Sequence, residues 1–162
     1  MTIRPITPDN FPLLERFGYE AIFIPPGEAP PPWEIVFEPG VFMYIDQFGS
    51  LPDDCGLIAE LDGRAVGAAW VRCIKGYGYV DDATPELALS VLPEHRRQGI
   101  GTALMTQLFA ELRQRGYART SLAVQKANPA ARLYLRLGYE IIAEKEEEFL
   151  MLKQLDGEKA YG

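Results

Sequence analysis

The sequence predicts an α/β (α+β) domain, and three observations carry that reading. Residues 86–115 read as a strand, a glycine-rich loop and an amphipathic helix. Asp62-Gly63 separates two apolar runs, residues 55–60 and 64–72, which is a strong signal for an antiparallel hairpin. Two more strand patterns, near 139–143 and 148–153, follow a short helical pattern toward the C-terminus.

The elements follow in order. Residues 2–6 alternate as a first strand, and Thr7-Pro8-Asp9 supplies the cap of a helix that runs to Phe17 or Ala21. Six of the 13 prolines fall in residues 25–39, so most of that stretch can be neither helix nor central strand and reads as a loop. Residues 41–48 read as a second helix ending at Gly49. After the hairpin, a third strand carrying Tyr77 and Tyr79 leads through Asp81-Asp82 and Thr84-Pro85 into the apolar run Leu87-Ala88-Leu89-Ser90-Val91-Leu92. Pro93 stops that run, because proline cannot donate to a ladder. Ile100, Leu104, Met105, Leu108, Phe109 and Leu112 then recur at helical spacing, and Gly116 ends the helix. A strand near 118–124 and a helix over residues 129–137, capped by Asn128, precede the last two strands. The acidic run at 144–148 is a solvated turn between them. Residues 1–155 form a single domain on this reading, and residues 156–162 form a frayed tail.

Composition narrows the function. A chain of 162 residues with 48% hydrophobic and 24% charged residues is long enough for one well-filled core. No apolar run approaches the roughly 18 residues of a membrane span, and the opening MTIRPITPDN lacks a basic segment followed by an apolar one. A cytoplasmic protein with no membrane partner is expected. Cys55 and Cys73 make no disulfide framework, and with one histidine in the chain no metal site is expected. A net charge of −7 argues against nucleic acid as a partner and slightly favours cationic ligands.

Against that acidic background stands His95-Arg96-Arg97-Gln98-Gly99-Ile100-Gly101-Thr102, basic at its start, glycine-rich at its end and placed at a helix N-terminus. Glycines let backbone N–H groups face a ligand, and the helix end adds unpaired donors and about half a positive charge. A diphosphate fits best. A Walker loop needs lysine followed by Ser or Thr, and here Thr102-Ala103 stands instead. A dinucleotide fingerprint needs a small residue where Leu104 stands and an acid about 20 residues on, where Thr120 and Ser121 lie. What remains is Arg96-x-x-Gly99-x-Gly101 preceded by Val91-x-Pro93. This pattern resembles the coenzyme A loop of the GCN5-related N-acetyltransferases, the GNAT family. Downstream, Asn128, Leu133-Tyr134 and Leu137-Gly138-Tyr139 are similar to the family's second signature.

The resemblance implies a GNAT-like fold, a mixed and mostly antiparallel sheet of six or seven strands flanked by about four helices. It implies acetyl-CoA as cosubstrate without a metal, and an N-acetyltransferase acting on a small-molecule or peptide amine, with a homodimer among the expected states. Arg96, Arg97, Gln98, Gly99, Ile100, Gly101 and Thr102 would hold the diphosphate, and the backbone of Leu89, Ser90 and Val91 would hold the pantetheine arm. A backbone N–H near Val91 would receive the developing oxyanion. Tyr134 occupies the family's tyrosine position and is the candidate acid for the leaving thiolate. Asn128 has two compatible roles, helix cap and cofactor ligand. The base is open: ribosomal-protein acetyltransferases carry a glutamate on the strand before the asparagine, and Leu122-Ala123-Val124-Gln125 offers none. Glu86 sits close to another family position for a carboxylate base. Asp81, Asp82, Tyr79 and a water chain compete with it. A non-catalytic acyl-CoA-binding module is the alternative to an enzyme.

Overall fold

The computed structural model of the chain describes residues 1–156, and its seven strands join in one sheet. They are β1 (Thr2–Pro5), β2 (Cys55–Leu61), β3 (Arg64–Arg72), β4 (Glu86–Val91), β5 (Arg119–Gln125), β6 (Glu140–Glu144) and β7 (Glu148–Gln154). Their order across the sheet is β1-β2-β3-β4-β5-β7-β6. Every neighbouring pair is antiparallel except β4 and β5. Four α-helices accompany the sheet: α1 (Phe11–Glu20), α2 (Pro39–Phe42), α3 (Ile100–Gln114) and α4 (Ala130–Arg136). The expected fold class holds, with the larger of the two strand numbers.

Local sequence explains most of this. Asp62 and Gly63 both take positive φ, 51° and 76°, the backbone that a two-residue hairpin of this kind requires. Side chains alternate across β4. Leu87 lies in the cluster under α3 with Leu89 and Val91 packed against it, whereas Ala88 and Leu92 pack on the cluster under α1. The α3 cluster takes Leu104, Met105, Leu108 and Leu112, all fully buried, so the helical periodicity read from sequence is the buried stripe. Trp70 anchors the other cluster and donates its indole N–H to the Tyr44 carbonyl at 2.9 Å.

Two expectations need correction, and a third gains detail. Residues 41–48 are not one helix: α2 covers Pro39–Phe42, and turns follow up to Gly49. The proline-rich loop contains a 3-10 turn at Trp33–Phe37, the tighter helix that short segments between prolines adopt. The third strand with Tyr77 and Tyr79 does not exist. The N–H groups of Gly76 and Gly78 bond a side-chain carboxylate there, leaving no donors for a ladder. The expected tail lies outside the described residues from 157 on.

Candidate active site

Strands β4 and β5 pair at a single position, Glu86 with Ser121, and then part. On its other side β4 is bonded to β3 along its whole length. Leu92 donates to the Val66 carbonyl at 2.9 Å, so the even-numbered residues of this run bond β3. The odd-numbered Leu89 and Val91 therefore turn their N–H and C=O groups toward the opening. Arg96 Nε donates to the Val91 carbonyl at 2.9 Å. Leu89 N–H, Leu89 C=O and Val91 N–H are left facing a gap between two parallel strands, an extended edge on which another extended chain can bond.

The gap opens toward the loop before α3. Gly99 caps that helix in the left-handed conformation, φ 82° and ψ 4°, and Arg97 has φ 63°. Left-handed residues alternating with ordinary ones turn successive N–H groups into a shared concavity, and the N–H groups of Ile100, Gly101 and Thr102 have no carbonyl within the helix to bond. Ile100 is itself a core side chain, so only its backbone can serve a ligand. Gly101 lies against Leu89 and Leu133, where an added Cβ would come within 3.3 Å of Leu89 Cδ2. Arg96 is spent largely on the protein: besides Val91 it donates to the Glu20 carbonyl at 3.1 Å and pairs with its carboxylate at 3.6 Å. Arg97, Gln98 and Thr102 are exposed. The donor set suits a polyanion, and the unpaired strand edge suits an amide-bearing arm.

Asn128 caps α4 by accepting the Ala130 N–H at 2.9 Å. Tyr134 projects from α4 into the α3 cluster, 8% exposed, with its ring 5.8 Å from that of Tyr139. Burial alone pushes its phenol up to about 12. Ser90 faces away from Leu89 and Val91, and its buried hydroxyl has no partner among the described residues.

Glu86 is 2% exposed. Its Oε1 accepts Tyr44 OH at 3.0 Å and Gly78 N–H at 2.7 Å, and its Oε2 accepts Gly76 N–H at 2.9 Å. Burial raises its pKa above the ordinary 4.5, and these three hydrogen bonds restrain the rise. Asp81 and Asp82 lie apart from this arrangement: Asp81 pairs with Arg119 and accepts from Thr84 Oγ1, and Asp82 accepts Tyr79 OH at 2.7 Å. Sequence reasoning missed Tyr44, Gly76 and Gly78. The signal was present, since two glycines inside a supposed strand mark a close backbone approach.

A family model described as the acetyltransferase (GNAT) family matches residues 20–139. The chain belongs to the GNAT family. It is similar to an N-alpha-acetyltransferase of Sulfurisphaera tokodaii, 34% identical over 113 residues, and the match covers 64% of each chain. It is also similar to the [ribosomal protein bS18]-alanine N-acetyltransferase of Escherichia coli (strain K12), 43% identical over 61 residues, covering 37% of this chain and 40% of that one. The matches thus span less than two thirds of either curated relative. Among solved structures, yncA of Salmonella typhimurium with its cofactor acetyl-CoA superposes with a TM-score of 0.70 at 20% identity, over 96% of this chain and 94% of that one. That last likeness is one of GNAT fold.

Among the described residues no group of three His, Cys, Asp or Glu side chains could hold a metal ion. No helix among them is long and apolar enough to cross a membrane. A depression of about 580 Å³, lined in part by Ile6, Phe11, Phe48 and Arg115, lies toward the C-terminal end of α3. The candidate loop lies at the other end of that helix.

Proposed function

We propose that the chain is an N-acetyltransferase that transfers an acetyl group from acetyl-CoA to a primary amine, small molecule or peptide, in a ternary complex. The observation that carries this reading is the parting of β4 and β5 beyond Glu86 and Ser121, with a loop of backbone donors at the far, C-terminal end of β4 toward which the gap opens. Residues 96–102 would hold the diphosphate, and the free groups of Leu89 and Val91 the pantetheine arm. Bound there, acetyl-CoA supplies a thioester whose carbonyl carbon an uncharged amine can attack, yielding an amide and free CoA. Of the free groups on Leu89 and Val91, the Val91 N–H is the candidate donor to the carbonyl oxygen, which leaves the N–H and C=O of Leu89 for the rest of the arm.

Protons constrain the side chains. An α-amine titrates near 8 and a lysine near 10.4, so the acceptor must lose a proton before it attacks. Glu86 is the candidate base. A carboxylate offers about four lone-pair sites, and the three donors on Glu86 leave one open on Oε2. Tyr134, held near 12, is protonated throughout the working range. Handing that proton outright to a thiolate of pKa about 8.5 is uphill. Its phenol instead donates a hydrogen bond to the departing sulfur, and the proton that neutralises the thiolate comes from the amine nitrogen. A second reading, a non-catalytic acyl-CoA-binding module, draws on the same carboxylate, because three protein donors already engage it.

Two measurements test the reading. With acetyl-CoA at a hundredfold excess over its Kd, binding should stabilise the chain by about 2.7 kcal/mol in thermal unfolding. Free-thiol release from acetyl-CoA is then followed with spermidine and with an alanyl peptide. Tyr134→Phe should keep the thermal shift and lose about 10²-fold in release. No thermal shift with acetyl-CoA or CoA would overturn the cofactor assignment. A shift without thiol release from either amine would favour the binding module.

A further inference from the structure

Glu86 is the centre of a structure larger than a single base. Tyr44 lies in the turns after α2, 42 residues before Glu86, and its hydroxyl donates to Oε1 while accepting the Tyr77 N–H at 2.9 Å. The neighbouring Gly76 and Gly78 donate to opposite oxygens of the same carboxylate. The turn is bound from the sheet as well, since Ser121 Oγ donates to the Gly78 carbonyl at 2.6 Å. A side chain at either glycine would force a shift, of backbone at Gly78 and of the Tyr44 and Glu86 tips at Gly76. A Cβ on Gly78 would stand 2.9 Å from the Leu122 carbonyl carbon and 3.0 Å from the Ala123 nitrogen. One on Gly76 would stand 2.9 Å from Glu86 Oε1 and closer still to the Tyr44 hydroxyl. The turn at 76–79 is thereby seated where β4 and β5 begin to part, because Glu86 and Ser121 are their one paired position.

We infer that Tyr44 is a positioning residue: its phenol occupies one oxygen of Glu86 and the Tyr77 amide together, indexing the segment after α2 and the 76–79 turn to the carboxylate and reserving Oε2 for proton uptake. The inference rests on the acetyltransferase reading for its catalytic meaning and on hydrogen bonds for its structural one. With Tyr44 and Gly78 on Oε1, both lone pairs of that oxygen are filled. Oε2 holds only the Gly76 N–H. A proton arriving on the open lone pair of Oε2 displaces none of the three donors, so the turn keeps its place through protonation and release. Without the phenol, either oxygen could take the proton.

Charged side chains on the elements that flank Glu86 have partners of their own. Arg72, opposite it on β3, is bidentate to Asp54 at 2.9 and 3.0 Å, and Arg119 of β5 pairs with Asp81. On α1, Arg16 pairs with Glu20. In the loop, Lys75 lies 5.9 Å above the Tyr79 ring, whose hydroxyl donates to Asp82. The Tyr44 hydrogen bond is among the three influences that hold the Glu86 pKa down against burial. Its removal should move the titration upward.

The test needs no acceptor. Amide hydrogen exchange of residues 76–78 and ¹³C titration of the Glu86 carboxyl are compared in the wild type, Tyr44→Phe and Glu86→Gln. Tyr44→Phe should speed Tyr77 exchange about tenfold and raise the Glu86 midpoint, with the protein still folded. Glu86→Gln should speed exchange at Gly76, whereas in the wild type the protection of Gly76 relative to free amide should stay constant through the Glu86 titration. Unchanged Tyr77 exchange and an unchanged Glu86 midpoint in Tyr44→Phe would overturn the inference. Where thiol release is measurable, the acid limb of its pH profile should move with the carboxyl midpoint. A midpoint that moves while the limb stays would support the positioning of Glu86 by Tyr44 and remove Glu86 from proton transfer.

Discussion

At the C-terminal end of β4, the proposed diphosphate site is the backbone of one short run, residues 96–102, two of whose members have left-handed φ. At its N-terminal end, the Glu86 carboxylate is gripped by groups from residues 44, 76 and 78, and the segment carrying Tyr44 is itself tied down by Arg72. The first end depends on local conformation and on little side-chain chemistry. The second depends on buried polar side chains that meet across long stretches of sequence. Substitutions should therefore separate the two: changes at the loop should cost binding more than stability, and changes around Glu86 the reverse.

The largest effect should come from Arg72→Met. Arg72 and Asp54 are buried together, with side-chain exposures of 3% and 1%, and Nη1 of Arg72 also donates to the carbonyls of Met43 and Asp46 at 2.9 and 2.8 Å. Removing one partner of a buried pair leaves the other charge uncompensated and costs about 3–5 kcal/mol. For a domain of this size that is a fall of roughly 6–20 °C in Tm. Affinity of the folded fraction for CoA should be kept, since none of these contacts reaches residues 96–102. Equal loss of CoA affinity would show that the two ends are coupled.

Gly99→Ala is the complementary change and a smaller one. Nothing lies within 4 Å of the position a Cβ would take, so the objection is to φ alone. Holding an L-residue in that conformation costs about 1–2 kcal/mol, and relaxing it redirects the N–H groups of the loop. We expect CoA affinity to fall about tenfold, or about 1.4 kcal/mol, by thermal shift or calorimetry. Gly101→Ala is the control: the Leu89 side chain 3.3 Å away can give, and the fold should be retained. Undiminished affinity in Gly99→Ala would remove the backbone concavity from the binding site.

The same contrast explains what could be read from the chain. The strand, loop and helix around Gly99 were legible because each rests on neighbours in sequence: Pro93 as a stop, Gly99 as a left-handed cap, a buried stripe from Ile100 to Leu112. The parting of β4 from β5 was not legible. Residues 118–124 read equally well as a strand paired along its whole length, and only the sheet shows that pairing ends after Ser121. Tyr77 and Tyr79 read as strand residues because aromatics favour strands, yet the donors of the flanking Gly76 and Gly78 went to a carboxylate eight or more residues away. Glu86 was a candidate because the family resemblance puts it, at the entry to the central strand, close to a position for a carboxylate base. Its burial, and the phenol that holds it, depend on residue 44, which no local pattern connects to it.

The smallest effect is the most specific to the Glu86 end. Its carboxyl has a folded-state pKa raised above the ordinary 4.5, with burial the dominant cause. The folded chain therefore binds more protons at this site than the unfolded one through the interval between the two values, and stability falls with pH across that interval. The contribution of Glu86 is fully present below about 4.5 and is lost as pH rises through the folded value. Urea unfolding of the wild type and of Glu86→Gln from pH 4 to 8 isolates it, because the other titrating groups are common to both. The stability of the wild type relative to Glu86→Gln should decline with pH and then level off. A relative stability that instead rises with pH would mean that the hydrogen bonds from Tyr44, Gly76 and Gly78 outweigh burial. Glu86 would then be a stronger acid than an exposed glutamate, and so a poorer base for an ammonium acceptor. The sign of this one slope thus bears on whether the carboxylate is poised for proton transfer or only anchors the turn.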